Sequence, residues 1–302
     1  MMSPARTASD GGRLLAVTAV PPWPMQDGYS LRAAHLLEEL STRWDVTLVS
    51  PAPRSRSPGA PGGLDWVTVE GVPATNVLPW REERRLLIDR LQPILEEGEF
   101  RAAILWNGVE FAAREISGFP PTVADRIDCE ALQAWRGRKH REGLRQKLRS
   151  LRRGLDLALY ERKVLRSLDG LVVTGADDAR ALRFLTGHRR IQVVPNGVDL
   201  PRLGKLPEEG DRPAVIFTGV LDYGPNVEAA LFFGEEIWPE VRRRLPEARF
   251  VIAGRSPVPE LEALADDPGI ELRPDVPDLT AEIRRAWVAV APMRTGSGIK
   301  NK

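Results

Sequence analysis

Three loops that each follow an apolar, strand-like run combine glycines with polar or cationic side chains. The residues that we predict to bind a phosphate or another anion are Gly28, Ser30 and Arg32 in the first loop, Gly219 and Asn226 in the second, and Arg294, Gly296, Ser297, Gly298, Lys300 and Lys302 in the third. A glycine lets backbone N–H groups approach a ligand closely, and the first turn of a helix leaves such groups unpaired. Because cationic side chains add charge-assisted hydrogen bonds, the loops predict anion binding, with plain strand-to-helix turns as the alternative.

The second loop, residues 219–226, matches neither of two common nucleotide-binding fingerprints. It has no GxGxxG spacing, which dinucleotide-binding domains use, and no GK[S/T] ending, which a P-loop requires. Asn226 is a favourable N-cap residue, so we expect a long helix to begin at about this position. The loop therefore predicts a phosphate site at a helix N-terminus that belongs to neither of those two classes.

Short apolar runs alternate with longer amphipathic segments along the chain. Runs such as Leu14–Val20, Gly170–Thr174 and Arg249–Ala253 are rich in aliphatic residues, and helical spacing of apolar residues follows in Tyr29–Arg43 and Asn226–Leu245. Continuous apolar runs are typical of strands covered on both faces, so the pattern predicts an α/β fold with doubly wound parallel sheets. Ligands bind at the carboxyl ends of strands in such sheets, which is where the three loops lie.

The segment 195–213 separates two parts of this pattern. It contains four prolines and three glycines, a composition typical of a linker. We predict a Rossmann-like N-terminal domain over residues 1–200, a linker over 201–212 and a second domain over 213–302. Only four strands fit into the second part, and the chain ends where a helix would begin, so we expect this second domain to be incomplete.

Composition and charge disfavour several classes of protein. The 43 basic and 42 acidic residues nearly cancel, and aromatic residues are sparse among the basic ones, so we expect no nucleic-acid partner. One cysteine, Cys129, allows no disulfide within the chain, and with three scattered histidines it disfavours a structural zinc site. The apolar run Leu14–Val20 is too short to span a membrane and is predicted to be a buried strand. We expect a cytoplasmic protein.

A strongly basic segment extends over Arg136–Arg153. Its cations are Arg136, Arg138, Lys139, Arg141, Arg145, Lys147, Arg149, Arg152 and Arg153. Leucines at 144, 148, 151 and 155 recur at helical spacing, so the segment is predicted to be an amphipathic helix. One interpretation is a solvated helix that its leucines dock on the protein. The other is peripheral contact with an anionic membrane, on the inner face of the membrane, through the cations.

An ordered set of short motifs resembles family 4 glycosyltransferases over nearly the whole chain. The motifs that carry this resemblance are Val193-Val194-Pro195-Asn196-Gly197-Val198-Asp199, Phe217-Thr218-Gly219 with Pro225-Asn226, Phe250-Val251-Ile252-Ala253-Gly254, Pro277-Asp278-Leu279, Ala289-Val290-Ala291-Pro292, and the terminal segment from Gly296 to Lys302. In the first domain, Asp125-Arg126-Ile127-Asp128 and Tyr160-Glu161-Arg162 resemble a subgroup associated with exopolysaccharide and exosortase-linked (PEP-CTERM) gene clusters.

The resemblance implies a GT-B fold, in which two facing Rossmann-like domains share one site. It implies transfer of a sugar from a nucleotide-diphospho-sugar, held mainly by the second domain, to a glycan or lipid-linked acceptor on the first. It also implies retention of anomeric configuration, a role in polysaccharide biosynthesis, and no metal or other cofactor. By position, Gly28 would lie near the transferred sugar and diphosphate, Arg294, Lys300 and Lys302 near phosphate or sugar, and Val276 and Pro277 near the base.

The chain departs from the family pattern at the expected catalytic position. Many members carry a histidine after a middle strand of the first domain, whereas this region offers Asn107, Asp125 and Asp128. We take Asp125 and Asp128 as candidate catalytic residues, with capping or salt bridging as the alternative.

Two other functions stay open from the sequence: a nucleotide-sugar epimerase on the same fold, and a non-catalytic protein that binds sugar nucleotides or acts as a scaffold. Because we expect the second domain to be incomplete, we also expect this chain alone to show little transfer activity.

Overall fold

The structure is a computed structural model that describes residues 11–25, 28–52, 64–72, 81–106, 108–137, 144–197 and 213–294. These residues fall into two compact units, one ending at Asn196 and one occupying the described part of the chain from Pro213 onward. Each unit is built around its own sheet.

The sheet of the first unit has seven strands, and each neighbouring pair is parallel. The strands are β1 (Arg13–Val17), β2 (Asp45–Pro51), β3 (Asp65–Val69), β4 (Ala102–Trp106), β5 (Thr122–Ile127), β6 (Gly170–Val173) and β7 (Ile191–Val193). Their order is β3-β2-β1-β4-β5-β6-β7, so the direction of winding reverses between β1 and β4. This is the doubly wound arrangement that the continuous apolar runs predict.

Helices cover both faces of this sheet. They are α1 (Gly28–Ser41), α2 (Arg81–Glu97), α3 (Ala112–Glu115), α4 (Glu130–Gly137), α5 (Leu144–Leu165) and α6 (Ala176–Thr186). Helix α1 packs on one face through Ala33, Ala34 and Leu37, which join Leu14 and Ala16 of β1 in one buried cluster. Helices α2 and α3 cover the opposite face of β1 to β4, and α4, α5 and α6 cover β5 to β7. Both faces are therefore buried, as a parallel sheet requires.

The second unit repeats the design with four parallel strands. They are β8 (Ala214–Val220), β9 (Arg249–Arg255), β10 (Ile270–Pro274) and β11 (Val288–Ala289), in the order β10-β9-β8-β11. The helices are α7 (Gly224–Phe232), α8 (Trp238–Arg244), α9 (Pro259–Leu264) and α10 (Leu279–Arg284), with a π-helical segment (Phe233–Ile237) between α7 and α8. Phe217, Phe233, Trp238 and Phe250 lie in its core.

The expected helix Asn226–Leu245 differs from the observed one in two respects. The helix begins at Gly224, and Tyr223 occupies the N-cap position, so the expectation that Asn226 caps the helix is wrong. Pro225 explains the earlier start, because proline is favoured in the first turn of a helix. The π-helical segment then interrupts the regular α-helical spacing before α8.

Across the described ranges, no helix combines the length and apolar character needed to cross a bilayer.

Candidate functional site

The carboxyl ends of β1 and β4 lie side by side where the winding of the first sheet reverses. Val17 of β1 and Leu105 of β4 are register partners, and the residues that come next in the sequence are Thr18 and Trp106. Both are fully buried, yet neither the Thr18 hydroxyl nor the Trp106 indole N–H has a hydrogen-bond partner within the described residues. Buried polar groups are nearly always paired, so these two atoms mark a place suited to a polar ligand.

Arg32 connects this place to the other strands of the sheet. From α1, its Nε donates to Oδ2 of Asp125 at 2.8 Å, and its Nη1 donates to Oδ1 of Asn196 at 2.9 Å. Asp125 lies in β5 next to Trp106, its register partner on β4, and Asn196 follows β7. Arg32 is 7% exposed, and its Nη2 is buried without a partner in the described part of the chain. The structure thus brings the predicted residues Arg32 and Asp125 together.

The contacts of Asp125 are those expected if it forms a salt bridge, which was the alternative to a catalytic role. Its side chain is fully buried, and besides Arg32 it accepts a hydrogen bond from the backbone N–H of Ile127 at 3.3 Å. Burial raises the pKa of this carboxyl, and the Arg32 guanidinium opposes that shift. A paired, buried carboxylate of this kind holds Arg32 in place, and a catalytic role for Asp125 stays a prediction.

Asp128 follows a backbone turn of unusual conformation. Ile127 has a φ of 58°, a left-handed conformation that β-branched residues rarely adopt. The turn is fixed from both sides: the N–H and hydroxyl of Thr174 donate to the Ile127 carbonyl at 2.9 and 2.8 Å, and the Cys129 N–H donates to Asp178 Oδ1 at 3.0 Å. A strained conformation that its surroundings hold in place is often found at functional sites.

The carboxyl group of Asp128 is suited to proton transfer near neutral pH. Burial and the neighbouring carboxylates Asp178 and Glu130 together raise its pKa to about 6, against the opposing charge of Arg126. Its Oδ1 is buried and has no hydrogen-bond partner within the described ranges. Asp128 therefore combines a raised pKa with an unsatisfied acceptor, and a catalytic role for Asp128 stays a prediction.

A buried ionic cluster lies on the opposite face of β5. Arg126 is fully buried and donates to Glu110 Oε1 at 2.7 Å and to Glu161 Oε1 at 3.0 Å, with Glu130 at 3.6 Å. Although burial lowers the pKa of Arg126, the three carboxylates raise it well above its usual value. Burial and the adjacent Glu161 raise the pKa of Cys129 to about 12, so its thiol stays protonated. The cluster is structural and supports the turn that carries Asp128.

The remaining predicted residues of the first loop lie at the start of α1. Gly28 is the first residue of the helix and is exposed, and Ser30 is buried in its first turn. A helix N-terminus at this edge offers backbone N–H groups to an anion. Of the polar residues at the edge, Thr18, Trp106 and Asn196 carried no predicted role, although Thr18 directly follows β1, Trp106 ends β4 and Asn196 comes shortly after β7.

The described predicted residues of the second unit also lie at or after the carboxyl ends of strands. Gly219 lies in β8, and the Asn226 side-chain amide donates to the Val220 carbonyl at 2.9 Å. Val276 and Pro277 lie between β10 and α10. The predicted residues Gly296, Ser297, Gly298, Lys300 and Lys302 lie outside the described residues.

Arg294 follows β11 and is half-exposed. Its guanidinium lies over the Phe232 ring, 4.8 Å from the centroid, and is 3.8 Å from Glu236 Oε1. Both contacts are solvent-accessible and weak, so they leave the cation able to bind an anionic ligand.

Comparison with known proteins gives a family match for one part of the chain. Residues 212–302 match the family model described as "Glycosyl transferases group 1". No curated protein matches the sequence. The match covers the whole described second unit, including β8 to β11, so this part of the chain is similar to a glycosyl transferases group 1 domain.

Solved structures match nearly the whole chain. A UDP-forming α,α-trehalose-phosphate synthase from Burkholderia vietnamiensis is 13% identical with a TM-score of 0.61, over 95% of this chain and 80% of that one. A structure of trehalose-6-phosphate from E. coli bound with UDP-2-fluoro glucose is 12% identical with a TM-score of 0.60, over the same shares. A Burkholderia xenovorans synthase in complex with glucose-6-phosphate is 13% identical with a TM-score of 0.59, over 90% and 76%. At these identities the matches show the fold, which is the α/β fold of GT-B glycosyltransferases.

Proposed function

We propose that this protein is a glycosyltransferase that moves a sugar from a nucleotide-diphospho-sugar to a glycan or lipid-linked acceptor. One observation carries the proposal: residues 212–302, which contain the whole second sheet, match the glycosyl transferases group 1 model. The predicted donor-binding residues Gly219, Asn226, Val276, Pro277 and Arg294 all belong to this part of the chain. A family 4 enzyme of polysaccharide biosynthesis that retains the anomeric configuration is the finer form of the proposal.

The first unit supplies a polar site suited to the reacting groups. The Thr18 hydroxyl, the Trp106 N–H and Nη2 of Arg32 are buried without partners within the described residues, and a bound hydroxyl or phosphate group would satisfy them. Arg32 and the N-terminus of α1 favour negative charge, so they support stabilisation of the departing diphosphate. We propose that these groups act without a metal cofactor, so that a chelator leaves transfer unchanged.

Asp128 is the proposed proton acceptor. With a pKa of about 6 it is ionised at neutral pH, and its Oδ1 has an unused acceptor position. In the proposed step, the acceptor hydroxyl gives its proton to the Asp128 carboxylate, and its oxygen bonds to the anomeric carbon on the face from which the diphosphate departs, so that the configuration is retained. The bond between that carbon and the diphosphate oxygen breaks, which releases the nucleoside diphosphate.

The experiment incubates the purified protein with a panel of nucleotide-sugars and a membrane lipid extract, and separates the products by mass spectrometry. High protein concentrations and long incubations are used, because this chain alone is expected to show little transfer activity. We expect release of nucleoside diphosphate together with a new glycosidic bond. Asp128→Asn should lower the rate by about 10²- to 10⁴-fold, whereas Asp89→Asn, an exposed carboxylate on α2, should leave it unchanged. Isomerised nucleotide-sugar without a glycosidic bond would assign an epimerase instead. Absence of both nucleotide binding and donor hydrolysis across the panel would refute the proposal.

We also propose a peripheral location on the inner face of an anionic membrane, through the basic segment Arg136–Arg153. Among its described side chains, Arg145, Arg149, Arg152 and Arg153 are exposed. Cations near an anionic surface each contribute about 1 kcal/mol to binding, so four arginines suffice for reversible association. Such a location would bring the protein to a lipid-linked acceptor.

A further inference from the structure

Helices α4, α5 and α6 enclose an apolar groove on the surface of the first unit. Its volume is 490 Å³, and its lining consists of alanines, leucines, two aromatic residues and a glycine, with Ser150 as the one hydroxyl. Small residues, among them Gly154 and Ala158, form part of the lining and leave room between the helices. The candidate site at the carboxyl edge of the sheet does not use this groove.

The groove is bordered by large apolar side chains that are open to solvent. Trp135 is 52% exposed, Leu151 45%, Leu155 59% and Phe184 90%, and all four line the groove. Leu148 and Leu159 extend the same stripe along α5 and are also more than half exposed. Contiguous exposed apolar surface of this kind marks a place where a protein meets a partner or a membrane.

Charge decides which partner fits. The exposed residues Arg145, Arg149, Arg152 and Arg153 alternate with the leucines along α5, and the exposed acidic residue of that helix is Asp156. On the packed helix α6, Asp177 is already paired with Arg136 and Arg180. A second copy of the chain would bring one set of arginines against another, whereas anionic headgroups complement them while hydrocarbon meets the leucines.

We propose that the groove between α4, α5 and α6 inserts into an anionic bilayer and receives the hydrocarbon chain of a lipid. Trp135, Leu151, Leu155 and Phe184 enter the acyl region, and the arginines of α5 bind the headgroups around them. The inference rests on the proposed function for its membrane partner. Binding is measured without sugar transfer, however, so failure of one is distinguishable from failure of the other.

The test is cosedimentation with vesicles of phosphatidylcholine alone and of phosphatidylcholine with phosphatidylglycerol. We expect the parent protein to bind the anionic vesicles. Leu151→Ser/Leu155→Ser should lower the affinity for these vesicles about tenfold or more at both about 0.1 M and about 1 M salt. The Debye length falls from about 10 Å to about 3 Å between these concentrations, so the loss of affinity at high salt reports the apolar contact. Arg149→Gln/Arg152→Gln should weaken binding chiefly at low salt. Matched controls are Leu86→Ser/Leu245→Ser and Arg189→Gln/Arg190→Gln, which alter exposed residues elsewhere and should bind like the parent protein.

A second measurement reports insertion directly. Brominated acyl chains should quench part of the tryptophan fluorescence of the parent protein, and Trp135→Phe should remove that part. Thermal unfolding of each variant shows that it is folded.

Three results would overturn the inference. The first is vesicle binding that high salt abolishes and that Leu151→Ser/Leu155→Ser does not weaken. Such binding would consist of contacts between the arginines and the lipid headgroups alone. The second is a dimer without lipid that Leu151→Ser dissociates, and the third is a folded parent protein that does not bind anionic vesicles.

Discussion

Arg126 and Glu161 form a fully buried ion pair that joins the end of β5 to α5. The distance between Arg126 Nη2 and Glu161 Oε1 is 3.0 Å, and neither side chain is exposed. Glu161 also accepts hydrogen bonds from the backbone N–H groups of Glu130 and Ala131, at 2.8 and 3.4 Å, at the start of α4. One carboxylate therefore fixes the ends of β5 and α4 relative to α5, and with them the turn at Ile127.

We expect Arg126→Met to destabilise the first unit strongly. The substitution leaves Glu110 and Glu161 buried without their counter-ion, and breaking a buried pair in this way costs about 3–5 kcal/mol. Arg180→Met is the matched control, because Arg180 is 72% exposed in its pair with Asp177 and such a pair contributes about 0–1 kcal/mol. Urea denaturation measures both. Equal, small losses in the two variants would contradict the assigned role of the cluster.

The pH dependence of stability should report the ionisation of Asp128. Its pKa is raised from 3.8 to about 6, so the folded state holds a proton that the unfolded state has lost between these values. Asp128 therefore makes stability fall as the pH rises through this window, with no further change above it. Asp128→Asn removes this loss, and the variant should be about 1–3 kcal/mol more stable than the parent above pH 6 and similar to it below pH 4.

Asp177→Asn is the control, because the Asp177 carboxylate changes the folding stability with pH in the direction opposite to Asp128. The hydrogen bond from Arg136 and the charge of Arg180 lower the pKa of Asp177, so the parent gains stability from this carboxylate as the pH rises above its lowered pKa. Denaturant titrations from about pH 2 to pH 8 compare the variants, because the gain in stability from Asp177 lies below pH 3.8. If Asp128→Asn and the parent show parallel curves, Asp128 titrates in its ordinary range and the proposed proton acceptor loses its support.

Arg32→Lys should impair sugar transfer even though it keeps the charge. The planar guanidinium bonds Asp125 through Nε and Asn196 through Nη1, and leaves Nη2 for a ligand, which a single ammonium group cannot reproduce. We expect kcat/KM to fall about 10- to 100-fold, as loss of a positioned charge in a site typically causes. Arg43→Lys, at an exposed position just after α1, should keep the parent value. Equal activity of the two variants would contradict the placement of the site at this edge.

The sequence predicted the fold well because the strands are buried on both faces. The continuous apolar run Gly170–Thr174 contains β6, and the segments in which such runs alternate with amphipathic stretches form two doubly wound sheets. The predicted helix after β8 had the wrong start, because the preference of proline for a first helical turn at Pro225 outweighed the capping preference of Asn226.

The candidate site was only partly predictable. Arg32 and Asp125 were recognised separately, but their ion pair joins residues 93 positions apart, and no local pattern contains that information. Arg126 and Glu161 belonged to motifs noted for their resemblance, yet their mutual contact became visible only in the structure. Thr18 and Trp106 are single polar residues at strand ends. Their position directly after or at the end of a predicted strand was the one available signal.

Gly254 and Gly154 should respond to alanine in opposite directions. Gly254 of β9 is the register partner of Gly219 of β8, and a Cβ at position 254 would lie 1.8 Å from the Gly219 carbonyl oxygen. A backbone atom in a paired strand cannot move aside, so Gly254→Ala must separate β8 from β9 and should destabilise the second unit by several kcal/mol, about the upper range for point substitutions. At position 154 in α5, the one contact of a Cβ among the described residues is with the Ala134 side chain, at an ordinary 3.7 Å.

Gly154→Ala should therefore stabilise the first unit by about 0.5–1 kcal/mol, the usual gain from replacing a glycine inside a helix. Denaturant unfolding followed by circular dichroism measures both variants. A Gly254→Ala protein as stable as the parent would show that β8 and β9 do not approach as closely at Gly219 as the structure has them, and the predicted donor-binding position of Gly219 would then need to be reassigned.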